Sequence, residues 1–222
     1  MSIVVAIDGP AGAGKSSASK ALAARLGFRH VDTGAMYRVV GVLARDGGIG
    51  PDDDDALGRL VDTIVFEEAG ERIVVGGRDL SRAIREGDAG DWASKVSTRA
   101  VVRERLVALQ RRLGAGGSVV MEGRDIGTVV FPHAAVKVFL TATPRERARR
   151  RGAELRGRGD PVDEDALTAA IASRDRRDSE RAEAPLRPAT DATVLDTTDL
   201  DLAAVIERLL ALVGPHLRHG HS

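Results

Sequence analysis

Cysteine is absent from the 222 residues, which excludes disulfides, thiolate metal sites and thiol catalysis together. Asparagine is absent too, and lysine is reduced to Lys15, Lys20, Lys95 and Lys137. Nearly every basic side chain is therefore arginine. Most of that bias follows an Ala- and Gly-rich composition, yet arginine also suits bidentate contact with phosphate. Charge of either sign is not in excess: 33 basic residues balance 33 acidic ones, so no general nucleic-acid or membrane surface is expected. The first apolar run, Ile3 to Ile7, is too short for a signal peptide or a membrane span. What remains, 43% hydrophobic and 30% charged, describes a soluble chain of one domain with room for a small insertion. A monomeric, cytoplasmic enzyme is the expectation.

Ile3-Val-Val-Ala-Ile7 reads as a buried parallel strand, followed by a Gly-rich turn and a helix over 17–26 that stops at Gly27. Phe28 to Val31 reads as a second strand and Ala35 to Arg45 as a second helix. Gly47 to Asp55 reads as a solvated acidic connection. Ile64 to Glu68 and Arg72 to Val75, joined through Ala69-Gly70-Glu71, predict a small hairpin and mark an inserted subdomain. A helix over 98–113 should end at Gly114. Strands follow at 118–121 and 136–140, then a helix opened by Pro144, a break at 157–161 and a charged helix over 163–181. A strand at 193–195, a helix over 202–213 and a frayed tail with three histidines complete the chain. Alternating strands and helices predict an α/β fold with a parallel five-stranded sheet flanked by helices.

Gly9-Pro-Ala-Gly-Ala-Gly-Lys-Ser16 meets every fixed position of G-x-x-x-x-G-K-S/T between a strand and a helix. Gly9, Pro10, Ala11, Gly12, Ala13 and Gly14 would turn backbone N–H groups toward phosphate oxygens. Lys15 would reach the β- and γ-phosphates of ATP, and the Ser16 hydroxyl would ligate Mg²⁺; Ser17 extends the same nucleotide site. The alternative, a Gly-rich turn that only resembles the motif, does not explain both flanking elements. Without asparagine the Asn-Lys-x-Asp motif that reads guanine in GTPases is missing, and a motor or large ATPase needs more chain. A small kinase remains.

Four further segments fall where loops at strand carboxyl ends belong. Asp32-Thr-Gly-Ala-Met-Tyr-Arg38 offers Thr33, Tyr37 and Arg38; a core role competes for the ring of Tyr37. Glu122-Gly-Arg-Asp-Ile-Gly-Thr128 puts a Walker-B-like carboxylate at a strand end beside Arg124 and Asp125, against which a structural ion-pair network must be weighed. Ser94 and Arg103 are a weak pair when taken alone. On a helix, Arg174, Asp178 and Arg181 share one face at i, i+4 and i+7, whereas Arg176 and Arg177 read as solvated.

In this order and spacing, I-D-G-P-A-G-A-G-K-S, D-T-G-A-M-Y-R, E-G-R-D-I-G-T-V-V-F-P and R-D-R-R-D-S-E-R-A-E-A-P-L closely resemble the bacterial cytidylate kinase family. The resemblance implies a P-loop kinase that moves the γ-phosphoryl of ATP to CMP or dCMP. It implies a core (1–60, 96–145 and 162–222), a nucleoside-monophosphate-binding insertion at about 61–95 and an Arg-rich lid at about 146–161. By motif position it implies that Ser94, Arg103 and Asp125 read cytosine. Arg38, Arg124 and Arg181 hold the monophosphate, and Tyr37, Arg174 and Asp178 meet the sugar. Family members vary between Ser and Thr at Thr33 and between Asp and Glu at Glu122. In the lid cluster of Arg147, Arg149, Arg150, Arg151, Arg156 and Arg158, helical spacing favours Arg147, Arg150 and Arg151 for phosphate contact. Charge neutralisation then falls to Lys15, Arg124, Arg151, Arg181 and Mg²⁺. The substrates are small molecules only. Two alternatives stand beside this reading: a UMP/CMP or adenylate kinase, against which E-G-R-D-I-G-T argues, and a nucleotide-binding regulatory protein without turnover.

Overall fold

The computed structural model describes residues 2–69, 72–157, 159–181 and 183–218. Gly70 and Glu71 of the expected hairpin turn, Arg158 of the lid cluster and His219 and His221 of the tail lie outside the described residues. Along the chain run β1 (Val4–Asp8), α1 (Lys15–Leu26), β2 (Arg29–Asp32), α2 (Thr33–Asp46), α3 (Asp54–Thr63), β3 (Phe66–Ala69), β4 (Arg72–Val75) and β5 (Arg78–Asp79). A 3-10 turn (Ala83–Arg85) leads to α4 (Ala89–Val96), α5 (Ala100–Ala115) and β6 (Val119–Gly123). A π-helical turn (Ile126–Val130) precedes β7 (Val136–Thr141), α6 (Pro144–Arg156), α7 (Glu164–Ser179), β8 (Thr193–Asp196) and α8 (Leu202–Arg218). The chain divides into two compact units, residues 1–31 with 114–222, and residues 32–113.

The first unit carries the expected five-stranded sheet, in the order β2-β6-β1-β7-β8. β1 pairs in parallel with β6 and β7, and β7 with β8. Parallel strands are covered on both faces, which is why β1 and β6 read as unbroken apolar runs. Val5, Ile7, Val120, Val138 and Leu140 form one core with Leu22 of α1 and Leu209 of α8. Each such side chain, fully buried, contributes about 1.5–3 kcal/mol. Pro144 opens α6 behind the Thr143 cap, as the sequence predicts.

Several expected helix ends move. α7 stops at Ser179 rather than Arg181, so Arg181 lies past the helix and not on its i+7 face position. α8 runs through Gly214 and Pro215 to Arg218 rather than fraying. An interior proline costs about 3 kcal/mol or more of helix stability, but Val213 is fully buried and Leu217 packs on the same core, which holds the last turn. Gly114 does not stop α5, which continues to Ala115. A Cβ on Gly114 would sit 2.3 Å from Cζ of Phe131, so this glycine answers a packing demand and not a capping one.

In the second unit α3 replaces the tail of the expected acidic connection. Asp53 caps it by accepting from the Ala56 N–H at 2.9 Å, Asp54 and Asp55 occupy its first turn, and Leu57 and Val61 are buried. Acidic residues at a helix N-terminus are favoured by its dipole, so the Asp run is a start signal. The hairpin gains a third strand, giving the antiparallel order β3-β4-β5. The 61–95 stretch lies inside this unit, together with α2 and α5 as far as Leu113. α4 approaches α2 closely because Gly41 has no side chain: a Cβ there would meet Trp92 and the Ala93 nitrogen at 2.9 Å.

Candidate active site

The phosphate loop owes its shape to three glycines with positive φ, at Gly9, Gly12 and Gly14. Gly9 is irreplaceable on steric grounds, since a Cβ would fall 2.0 Å from the Leu140 carbonyl oxygen. Gly14 is the N-cap of α1 and brings no side-chain cap, so the first amides of α1 open toward the loop. Such a nest of N–H groups at a helix N-terminus is an anion site. Lys15 is buried and donates from Nζ to the Pro10 carbonyl at 2.8 Å. The Ser16 hydroxyl donates to Oε2 of Glu122 at 2.8 Å, and Oε1 of Glu122 lies 3.0 Å from Nε2 of His30. Glu122 is buried at the end of β6, the strand-end carboxylate read from the sequence.

Arg147, Arg150 and Arg151 stand apart in their surroundings. Arg147 is only 3% exposed; its guanidinium donates to the carbonyls of Ala142 (2.8 Å) and Ala11 (3.1 Å) and pairs with Asp175. Arg150 donates to the Thr197 hydroxyl at 3.0 Å and to its carbonyl at 2.5 Å, and Thr197 in turn reaches the Ala13 carbonyl at 3.3 Å. Arg151 is far more open and pairs with Glu154 at 2.8 Å. Glu146, held down to about pKa 2 by Arg149 in spite of partial desolvation and with further help from Arg150, fixes the base of α6. A cavity of about 290 Å³ opens beside the loop, lined by Gly14, Ser17, Arg149, Arg150, Thr197 and Leu202 among others.

Asp178 gathers the expected arginines. It is 1% exposed, with Arg181 at 2.5 Å, Arg124 at 3.4 Å and Arg174 at 3.9 Å. Arg124 also donates to the Gly9 carbonyl at 3.0 Å, so one guanidinium touches both the phosphate loop and the α7 cluster. Asp125 is buried one residue on. Asp8, at the end of β1, accepts from the backbone N–H groups of Ile126 and Gly127, both at 2.8 Å. Burial pushes its carboxyl up to about 6 against those two bonds.

Within the second unit Asp32 caps α2 through the Ala35 N–H and holds Arg38, both at 2.9 Å. α2 starts at Thr33, two residues ahead of the expected position, so Thr33, Tyr37 and Arg38 lie in its first two turns. Ser94 lies on α4 and the buried Arg103 on α5.

Four residues escaped the sequence reading. Asp8 carried a signal, a lone acid at a strand end directly before the loop. His30, Asp175 and Thr197 carried none, because their relevance depends on which strands and helices become neighbours.

The profile of the family described as cytidylate kinase matches residues 5–214. The chain is 48% identical over 222 residues to the cytidylate kinase of Solibacter usitatus (strain Ellin6076), covering 99% of this chain and 96% of that protein. It is 49% identical over 216 residues to the cytidylate kinase of Mycobacterium avium (strain 104), covering 95% of each. Among solved structures, a gluconokinase from Sinorhizobium meliloti 1021 shares the fold, with a TM-score of 0.52 over 99% of this chain and 98% of that one at 16% identity.

Proposed function

Because the chain belongs to the cytidylate kinase family, we propose that it transfers the γ-phosphoryl group of ATP to CMP or dCMP, giving ADP and CDP or dCDP in pyrimidine nucleotide metabolism. What carries the reading at the level of the site is Arg124, bonded at once to the Gly9 carbonyl and to Asp178. A guanidinium in that place belongs to donor and acceptor alike. The acceptor phosphate oxygen is already anionic, so no general base is required. Positioning and charge neutralisation supply the catalysis. Lys15, Arg124, Arg151 and Arg181 take that charge. The Gly9–Ser17 loop and Arg150 hold ATP, while Arg147 supports the loop through Ala11. Ser94, Arg103 and Asp125 read cytosine; Arg38, Arg124 and Arg181 hold the monophosphate. Thr33, Tyr37, Arg174 and Asp178 take the nucleoside. The insertion at about 61–95 carries the monophosphate side and the lid at about 146–161 closes over ATP, excluding water that would otherwise hydrolyse it.

Mg²⁺ is the proposed cofactor. The Ser16 hydroxyl, beside the buried Glu122 carboxylate, offers the hard oxygen donors this ion prefers. Among the described residues no group of three or more acidic, His or Cys side chains is poised for a metal; an ion held mainly by phosphate and water oxygens needs none. Ser16 and Glu122 would hold the ion, which would supply neutralisation of the donor phosphate charge. No helix of the described residues is long and apolar enough to cross a membrane. We take the enzyme to work as a cytoplasmic monomer.

A coupled assay of ADP release over CMP, dCMP, UMP, AMP and GMP tests the proposal. Preference for CMP and dCMP is expected; preference for AMP or UMP would overturn it.

A further inference from the structure

Asp8 is an expensive way to build a turn. It is 5% exposed, and its two carboxylate oxygens take one backbone N–H each, from Ile126 and Gly127, 118 and 119 residues away in sequence. Those amides begin the π-helical turn Ile126–Val130, whose own N-cap, Asp125, makes no side-chain cap. The carbonyl of Asp125 instead closes the turn, accepting from Val129 at 2.8 Å and Val130 at 3.2 Å. A carboxylate from another strand therefore does the capping, and the Asp125 side chain is not used for it. Gly127 leaves room for this approach: a Cβ there would lie 3.4 Å from Oδ2 of Asp8 and 3.2 Å from Cδ of Lys137.

Desolvation outweighs the two N–H bonds and raises the Asp8 carboxyl to about 6, with Asp125 adding to the rise and Lys15 opposing it. Lys137 packs its aliphatic stem on the same turn while its ammonium group binds Asp191 and the Pro132 carbonyl. A serine could cap the same turn without burying a charge. A carboxylate that fixes two successive amides at once, Ile126 N–H on Oδ1 and Gly127 N–H on Oδ2, sets the direction of the turn more closely than one hydroxyl can.

We propose that Asp8 is a positioning residue for the acceptor: from the end of β1 it sets the backbone that aims Arg124 and Asp125, so that one short stretch, Asp8-Gly9, governs both the acceptor turn and the start of the phosphate loop. The inference rests on the proposed acceptor roles of Arg124 and Asp125. It adds a residue that touches neither substrate and acts through the two that do.

Asp8→Asn keeps the shape but offers one acceptor oxygen and turns an N–H₂ toward an amide N–H. The expected result is a rise of about tenfold or more in KM and calorimetric Kd for CMP, KM for ATP within about twofold, and a Tm no lower than that of the parent. A structural cap would lower Tm and weaken both substrates together. Unchanged CMP binding, or equal loss for CMP and ATP, overturns the proposal. Should the variant not fold, the parent protein still decides: the Ile126 and Gly127 amide resonances should titrate with a midpoint near 6, and silence at both refutes the coupling. Arg124→Ala, run alongside, separates the two layers, because unchanged KM for CMP there defeats the acceptor reading itself.

Discussion

Replacing Asp8 by asparagine should change stability by an amount that depends on pH, with a sign the burial of this group dictates. The carboxyl titrates near 6 in the fold against an ordinary 3.8. A raised acid binds its proton more tightly when folded, so its stabilising contribution is complete below the unfolded value and is lost as pH rises through the folded one. Above that window the ionised group costs the fold about 3 kcal/mol, at 1.36 kcal/mol per tenfold difference in proton affinity. At about pH 5 roughly half of that cost has gone, some 1.4 kcal/mol, since the folded group is already protonated and the unfolded one is not. Asparagine has no such dependence. Its own penalty, one lost hydrogen bond of about 1 kcal/mol and an N–H facing an N–H, is constant with pH and cancels in the comparison. Urea denaturation of parent and Asp8→Asn at about pH 7.5 and about pH 5 therefore measures Asp8 alone: the variant should gain about 1.4 kcal/mol relative to the parent at the higher pH. A difference independent of pH, or one of opposite sign, would mean that the carboxylate is not desolvated and that the physical account of the turn is wrong.

Lys15→Ala should reduce kcat by roughly 10²–10³-fold with Tm almost unchanged, because one preorganised charge is removed from a loop whose shape comes from glycine; near-normal kcat contradicts the loop assignment. Asp178→Ala should lower kcat/KM for CMP and dCMP by about 10²-fold while leaving KM for ATP close to its original value, since Arg124, Arg174 and Arg181 lose their common partner. Equal kinetics for both acceptors before and after would remove that role. Gly114→Ala forces a methyl group against the Phe131 ring, 2.3 Å from Cζ without rearrangement, and should cost about 1–3 kcal/mol in chemical denaturation. An unshifted midpoint would show that α5 and Phe131 are less tightly packed than described.

The legible parts of the fold were those governed by local chemistry. β1, the glycine loop and α1 could be read because a buried parallel strand has an unbroken apolar run and a phosphate nest demands glycine at fixed intervals. Pro144 marked its helix start for an equally local reason. α3 was legible and misread: Asp53, Asp54 and Asp55 are a cap and an acidic first turn, but a run of four acids resembles a solvated link until Leu57 and Val61 are weighed with it. Gly114 and the tail from Gly214 were misread because a glycine ends many helices in isolation, whereas Phe131 and the core around Leu217 decide otherwise here. At the site, helical spacing put Arg174 on one face with Asp178, but α7 ends at Ser179, so Arg181 reaches Asp178 from beyond the helix, and the approach of Arg124 to Asp178 depends on tertiary packing. The burial of Arg147 was not legible either. Spacing put it on one face with Arg151, and only the packing of α6 against α7 distinguishes a guanidinium bound to Ala11, Ala142 and Asp175 from one paired with Glu154 near solvent.

That contrast has a mechanical meaning. Arg147 bolts the first turn of α6 to the phosphate loop and, through Asp175, to α7. The anchor sits on the Gly9–Ser16 loop itself, at the Ala11 carbonyl. If the proposed lid swings, the bend would fall beyond Arg147, so the travel would belong to the far tip of α6 while the stretch beside the loop works as a fixed mount.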